Sequence, residues 1–374
     1  MHDDVIKAAI TRMLPAILRI PNPENSQPWE IAVHGARLEV FHASERDRLG
    51  SSPDDLCVFG AGMLAEAIVL AAGAEGLDAR LTFQLHGRND AQPWLCAQLA
   101  ETGRRADPLA AGLTMRHSDR RRYAGGALND PVFAEAKRES LLMNGAKLYC
   151  TDQYPQDFLE QMQLADRLIF QCQDIRRDFT RWARYTDMAI SKTRDGMSWR
   201  AFLRQPERGF HYLQSRLWWL ASSLDWFPVW LFELEEWLFD DSGRPSPADY
   251  HDGAAVCCIT TVTDSEDDLV SAGRLALRLW LLFNLRGYSF QALTNLSCIT
   301  YPHRLGRWDE PVSRIPELAD SHGVMQRMFG FADSELPIFC FRAGLPIAPY
   351  PQNARSLRRD DRVRWVMPDC RNSA

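Results

Sequence analysis

Most of the patterns from which a catalytic role is usually read are missing from this sequence. Its nine cysteines include no C-x-x-C pair, and their number is odd. Neither a zinc site nor a disulfide framework is therefore indicated, and a reducing cytoplasm is the expected compartment. Excess positive charge is also missing: the net charge is −6 at pH 7. That balance provides no global basic field for nucleic acid. The N-terminus, Met1-His2-Asp3-Asp4, has no basic region followed by a long apolar run, as a secretory signal would. The nine histidines show no H-E-x-x-H spacing, and no G-x-S-x-G elbow or Walker phosphate loop occurs. No metal, nucleic-acid partner or membrane partner is expected.

What the chain does have is enough apolar sequence for ordinary cores. Its 374 residues are 46% hydrophobic and 25% charged, the balance of a soluble globular protein with room for two domains. Val5, Ile6, Ala9, Ile10, Met13, Leu14, Ile17 and Leu18 recur at helical spacing. They predict an amphipathic helix over 4–19, capped by Asp3 or Asp4 and ended before Pro21. A hairpin follows from Glu30–Val33 and Arg37–Phe41 around His34-Gly35-Ala36. A small-residue helix is expected over Leu56–Ala74 with Gly76 as its C-cap, then strands at Ala79–Leu85 and Trp94–Leu99. The second half reads as a mostly helical stretch from Phe158 to Phe239, a strand at Ala254–Thr261 and a helix at Leu269–Leu285. Strands near Tyr288–Leu293 and Leu336–Arg342 close it. Helix and strand alternate in both halves, but no strong residue-by-residue repeat accompanies that order.

Two segments carry the chemistry. Pro21-Asn22-Pro23-Glu24-Asn25-Ser26-Gln27-Pro28-Trp29 lies near the start, and Arg116-His117-Ser118-Asp119-Arg120-Arg121-Arg122-Tyr123 lies far downstream. On an extended stretch Arg116, Ser118 and Arg120 share one face. Their guanidinium forks suit phosphate or a pyrimidine carbonyl, and the hydroxyl suits a phosphate or ribityl oxygen. In the first segment three prolines restrict the backbone, while Asn22, Asn25 and Gln27 offer amides that donate and accept. Trp29 reads as core.

Together the two segments resemble the flavin-contacting segments of the FMN-dependent nitroreductase family. There the Arg-x-Ser-x-Arg segment comes first and the Asn-x-Gln-Pro-Trp loop follows; here the order is reversed. The ordinary family member is a homodimer with FMN between subunits, so the reversal implies two fused, diverged subunits with one FMN site. Asn22 and Pro23 stand where the family's loop usually begins Pro-Ser-Ser. Thr260–Ser265, Ala272–Leu281 and Gly287–Leu293 resemble the C-terminal half of tandem members that include the mycobacterial Acg proteins. By this resemblance Gln291 and Ala292 sit where a backbone N–H approaches flavin N5. Likewise Arg358 and Arg359, in Arg355-Ser356-Leu357-Arg358-Arg359, resemble a terminal Arg-Arg pair that reaches the phosphate; Asp360 and Asp361 follow instead of the family's proline. His117 joins the cofactor set through its motif.

Two further segments need a reading. Leu56 to Ala65 matches the G-x-G-x-x-A dinucleotide fingerprint through Gly60 and Gly62, but its preceding run is too short for a strand and Asp78 falls before the next strand. The aromatic segment Leu217–Phe239 contains Trp218, Trp219 and Trp226 and is broken by Pro228 and acidic residues, so it cannot span a membrane. It reads as helical core or as a lid over the flavin.

The expected fold is α+β, nitroreductase-like and internally duplicated, with two mixed or antiparallel sheets and packed helices. Residues 1–112 would supply the loop, and 113–374 the Arg-x-Ser-x-Arg segment with an insertion at about 158–240. The expected protein is a monomeric pseudodimer, or a higher oligomer built from it. It would act as an FMN-dependent oxidoreductase on a flat or hydrophobic small molecule, or on an amino-acid- or peptide-derived substrate, with NADPH or NADH as a reductant to test. The alternatives are an Acg-like FMN-sequestering protein and a Rossmann-type dehydrogenase. No catalytic acid or base is assigned, because FMN itself carries the redox chemistry.

Overall fold

A computed structural model describes residues 2–46, 55–85, 91–103, 105–171, 181–184, 186–198, 252–306, 316–351 and 356–366. Trp218, Trp219 and Trp226, and with them the core-or-lid question, lie outside the described residues. Helix α1 (His2–Ile17) starts before the aspartates expected to cap it. Asp4 thus sits in its first turn, where negative charge favours the helix N-terminus. The hairpin pairs β1 (Trp29–His34) with β2 (Arg37–His42) through Gly35 and Ala36, with Gly35 at φ +56°. A left-handed residue there suits the twist of a two-residue hairpin turn.

Helix α2 (Asp55–Ala74) runs unbroken through Gly60 and Gly62. The dinucleotide fingerprint is therefore overturned, because Leu56–Phe59, where its strand would lie, are already helical. Strands β3 (Leu77–Phe83) and β4 (Pro93–Glu101) complete the first sheet, β3 starting two residues ahead of its expected position.

The second half contains α3 (Pro131–Leu141), β5 (Ala146–Thr151), α4 (Gln156–Gln171), β6 (Ala183–Arg184), α5 (Asp187–Thr193) and β7 (Met197–Ser198). After these come β8 (Ala255–Thr261), α6 (Glu266–Leu285), β9 (Ser289–Ala292), α7 (Thr294–Arg304), α8 (Ser321–Phe329), β10 (Leu336–Gly344) and β11 (Val363–Trp365). The protein is α+β. One sheet has the order β11-β1-β2-β4-β3 and the other β5-β8-β10-β9, while β6 and β7 form a small separate pair.

Strands β1–β4 of the first sheet and the four strands of the second sheet, β5, β8, β9 and β10, share an arrangement. In each sheet they lie first-second-fourth-third, every pair is antiparallel, and a 20-residue helix joins the second strand to the third. Those helices, α2 and α6, pack against each other. A Cβ at Gly62 would overlap the Val270 carbonyl, and one at Gly273 would overlap the Phe59 carbonyl. Each glycine is the eighth residue of its helix and meets the residue three before the other glycine. Finally β11, from the end of the chain, adds parallel to β1 of the first sheet.

One apolar core joins α1, the first sheet, α2, α6 and one face of the second sheet. The other face of that sheet packs under α4, α7 and α8 through Phe158, Met162, Val256, Leu296 and Met325. Burial on both faces explains why β8 reads as the unbroken run Ala-Val-Cys-Cys-Ile-Thr-Thr instead of alternating. Leu56–Ala74 is long and apolar enough to cross a membrane by composition, yet it is mostly buried as the central helix of this core.

His322 on α8 is 6% exposed, lies edge-on to Phe331, and neither ring nitrogen makes a hydrogen bond of normal geometry. Burial, helped by Arg304, lowers its pKa from the ordinary value. The unfolded chain therefore takes up a proton first as pH falls through about 6.5, and stability held above that pH declines. The slope is at most about 1.4 kcal/mol per pH unit. Melting of wild type and His322→Phe at pH 7.5 and 5.5 checks this: the variant should lose part of the acid-side drop.

Candidate cofactor-binding site

The Asn-x-Gln loop enters from α1. Asn22 is extended, and Pro23–Asn25 form a short 3-10 turn. Glu24, Asn25 and Gln27 have φ of 49°, 55° and 54°. Asparagine tolerates this region; the other two are strained, at a cost of about 1–3 kcal/mol each. The surroundings hold them there. Asn22 Oδ1 accepts from Gln27 N at 2.8 Å, and Arg46 Nε donates to Ser26 O at 2.8 Å.

The loop amides face other chain segments. Asn25 Nδ2 donates to Gly196 O at 3.0 Å and Leu357 O at 3.1 Å. Gln27 Nε2 donates to Arg194 O at 3.0 Å, and its Oε1 accepts from Arg359 N at 2.9 Å. Gln27 is thereby a brace, with both ends engaged inside the protein. Asn25 Oδ1 is buried and makes no hydrogen bond.

Arg116 and Arg358 converge on the carbonyls that leave α1. Arg116 Nη2 donates to Arg19 O at 2.9 Å, with its guanidinium 4.7 Å over the Trp280 ring. Arg358 Nη2 reaches Arg19 O at 3.5 Å and Ile20 O at 3.4 Å. Its Nη1 donates to Leu357 O at 3.1 Å, while the buried Nε makes no hydrogen bond. Among the described residues the Arg358 guanidinium bonds only backbone carbonyls and no carboxylate. Burial, then the neighbouring charge of Arg19, push its pKa below the ordinary arginine value. It still carries its charge at neutral pH. A group of guanidiniums that burial and mutual repulsion disfavour is stabilised by an anion.

Downstream of Arg116 the chain runs beside β9, with Asp119 N donating to Phe290 O at 2.9 Å. His117 stacks on Tyr350 at 4.3 Å, and its backbone is tied to Asn284 and Trp280. Ser118 and Arg120 are half-buried and make no hydrogen bond or ion pair among the described residues. Asp119 is buried against Arg121 at 2.8 Å and Ser289 at 2.7 Å. Burial alone would raise its pKa; those hydrogen bonds outweigh it and hold the carboxyl below its ordinary range.

The remaining nominated residues are placed differently. Arg359 pairs with Asp361 and lies 3.9 Å from Asp195. Gln291 accepts from the fully buried Arg342 at 2.7 Å, and Ala292 pairs with Phe341 beside it. Asn22, Arg116 and Arg358 thus share the Arg19 and Ile20 carbonyls, Asn25 and Gln27 bond the backbone of the 357–359 segment, and Ser118 and Arg120 follow Arg116 in sequence. Arg19, Trp280 and Tyr350 also belong here but carry no sequence signal of their own, since each becomes relevant only through what the fold sets beside it. A separate cavity of about 330 Å³, lined by Glu30, Phe41, His42, Ala43, Glu45, Ala91 and Arg364, contains none of the nominated residues.

No protein-family model matches this sequence, and neither does any curated protein. Among solved structures, the chain is similar to a candidate nitroreductase from Anabaena variabilis, with 9% sequence identity and a TM-score of 0.44. The likeness covers 92% of this chain and 89% of that one. Similarity at that level does not constrain chemistry, which has to come from the site itself.

The donor set fits FMN. Arg358 offers an unsatisfied buried N–H, and Arg120 and Ser118 offer a cation and a hydroxyl that hydrogen-bond no described residue. These suit a dianionic phosphate. Asn25 Oδ1, buried without a donor, suits a hydroxyl or ring N–H.

Proposed function

We propose that this chain binds one FMN where its two halves meet and is an FMN-dependent oxidoreductase of the nitroreductase type. The observation that carries this reading is the Arg358 guanidinium, beside Arg19 and Arg116, bonded to carbonyls and left with an unsatisfied buried N–H. The two motifs that resemble a flavin site in sequence meet at that place.

In this reading Arg358, Arg116 and Arg120 hold the phosphate end and Ser118 donates to it. Asn25 Oδ1 accepts from the cofactor, and the stacked His117 and Tyr350 give an aromatic wall that keeps water from one side. Bound FMN supplies two-electron exchange with a small molecule, a chemistry that needs no protein nucleophile. The matched strand order and reciprocal glycine contact support reading the halves as two fused subunits. The functional unit would be a monomer in a reducing cytoplasm.

The purified protein should be yellow and release about one FMN per chain on acid treatment; none, or two, defeats the reading. Arg358→Ala should weaken FMN binding about ten- to a hundredfold, the worth of a charge-assisted contact, and Arg120→Ala should act in the same direction. Wild type should bind riboflavin correspondingly less well than FMN. Turnover with NADPH or NADH, alongside anaerobic flavin reduction, separates an enzyme from a protein that only sequesters FMN.

A further inference from the structure

We infer that Asp195 is a positioning residue for this site, acting through the Arg194-Asp195-Gly196 backbone to set the distance between the Asn25 loop and Arg358. The inference rests on the FMN reading and adds a part of the chain outside both flavin-like motifs.

The tripeptide touches both parts of the proposed cofactor site at once, the Asn25 loop and the segment that carries Arg358. Toward the loop, Gly196 N donates to Asn25 O at 3.0 Å and Gly196 O accepts from Asn25 Nδ2 at 3.0 Å. Arg194 O accepts from Gln27 Nε2 at 3.0 Å. Toward the arginine segment, Arg194 Nε donates to Arg358 O at 2.8 Å, and its Nη2 lies 3.3 Å from Asp360. The loop and the 357–360 segment are thus gripped by one short stretch of backbone.

Asp195 holds that stretch in place. Its carboxylate is 4% exposed and bonds Arg46, whose Nε also holds Ser26 O at 2.8 Å. It accepts from Arg184 Nη2 at 2.7 Å and Nε at 3.2 Å, and Arg359 lies 3.9 Å away. Arg46, Arg181 and Arg184 surround Trp182 at 4.8, 5.0 and 5.6 Å. One carboxylate therefore organises arginines that would otherwise repel each other, and one of these fastens the strained loop. Arg194 has φ 53° and Gly196 has φ 75°, and a Cβ at Gly196 would overlap the Trp182 carbonyl. The stretch accordingly has little freedom to slide.

The test compares FMN with riboflavin, because their ratio of affinities reads the phosphate end alone. Flavin-fluorescence titrations would use wild type, Asp195→Asn and Arg194→Ala, with ligand-free melting measured for each. Arg194 is 48% exposed in its side chain, so Arg194→Ala should fold with little loss of stability. Both variants should narrow the FMN-over-riboflavin preference, Asp195→Asn by about tenfold and Arg194→Ala by about threefold. A purely structural role would lower melting and weaken both flavins alike, leaving the ratio intact. An unchanged ratio in both variants, with wild type still preferring FMN, overturns the positioning role alone. A wild type that binds no flavin, or binds both equally, overturns the FMN reading and this inference together.

Discussion

Gly273→Ala should destabilise the protein by about 3 kcal/mol, the upper range for overpacking a tight core. Its new methyl would overlap the Phe59 carbonyl, and a backbone atom cannot move aside as a side chain can. Either α2 and α6 separate, opening the core that both halves share, or the chain does not fold. Gly62→Ala should behave the same way through Val270. The control lies in the same helix. Nothing lies within 4 Å of a Cβ at Gly60. Gly60→Ala should therefore raise stability by about 0.5–1 kcal/mol, the helix-propensity difference between the two residues. Urea denaturation of the three variants tests the crossing; similar small effects in all would mean that the helices are not in close contact.

Arg342→Met should cost about 3–5 kcal/mol, the expected loss when one partner of a buried ion pair is removed. Arg342 is fully buried and donates to Asp252 at 2.8 Å, Gln291 at 2.7 Å and Arg121 O at 2.9 Å. Its guanidinium also lies 4.2 Å over the Tyr123 ring. Methionine keeps much of the apolar volume but leaves three acceptors without their donor. Adding Asp252→Asn should recover part of the loss, because the uncompensated charge is then gone. Thermal melting of single and double variants decides it, and a loss under about 1 kcal/mol would be too small for a buried pair. The same contacts bear on Gln291, nominated from its motif as a flavin neighbour. Its side chain is engaged with Arg342, and its backbone pairs with the same residue in the sheet.

The two motifs were legible because their chemistry is local. Arg116, Ser118 and Arg120 alternate, and Asn25 and Gln27 lie in a loop that three prolines stiffen. Arg358 was legible only by its likeness to a terminal arginine pair, and its neighbour Arg359 proved to be engaged with Asp361. Asp195 was not legible at all. An aspartate between an arginine and a glycine reads as a surface turn until Arg46 and Arg184 are seen to close on it.

By itself the sequence determined part of the elements, and α3, β5, α7, α8 and β11 had no reading of their own. Apolar spacing fixed α1, α2 and α6 to within a few residues, and turn chemistry fixed the first hairpin, because periodicity and backbone preference act between near neighbours. It also singled out the motif residues nominated for cofactor contact. Only the tertiary structure decided the shared strand order, the glycine crossing and the closure of the site. Asn25 bonds residues 171 and 332 positions away, and Arg358 bonds the end of α1 across 338 and 339. Contacts at such separations leave no periodic trace in the chain. They arise when two apolar halves bury their helices against each other and bring distant loops to one edge.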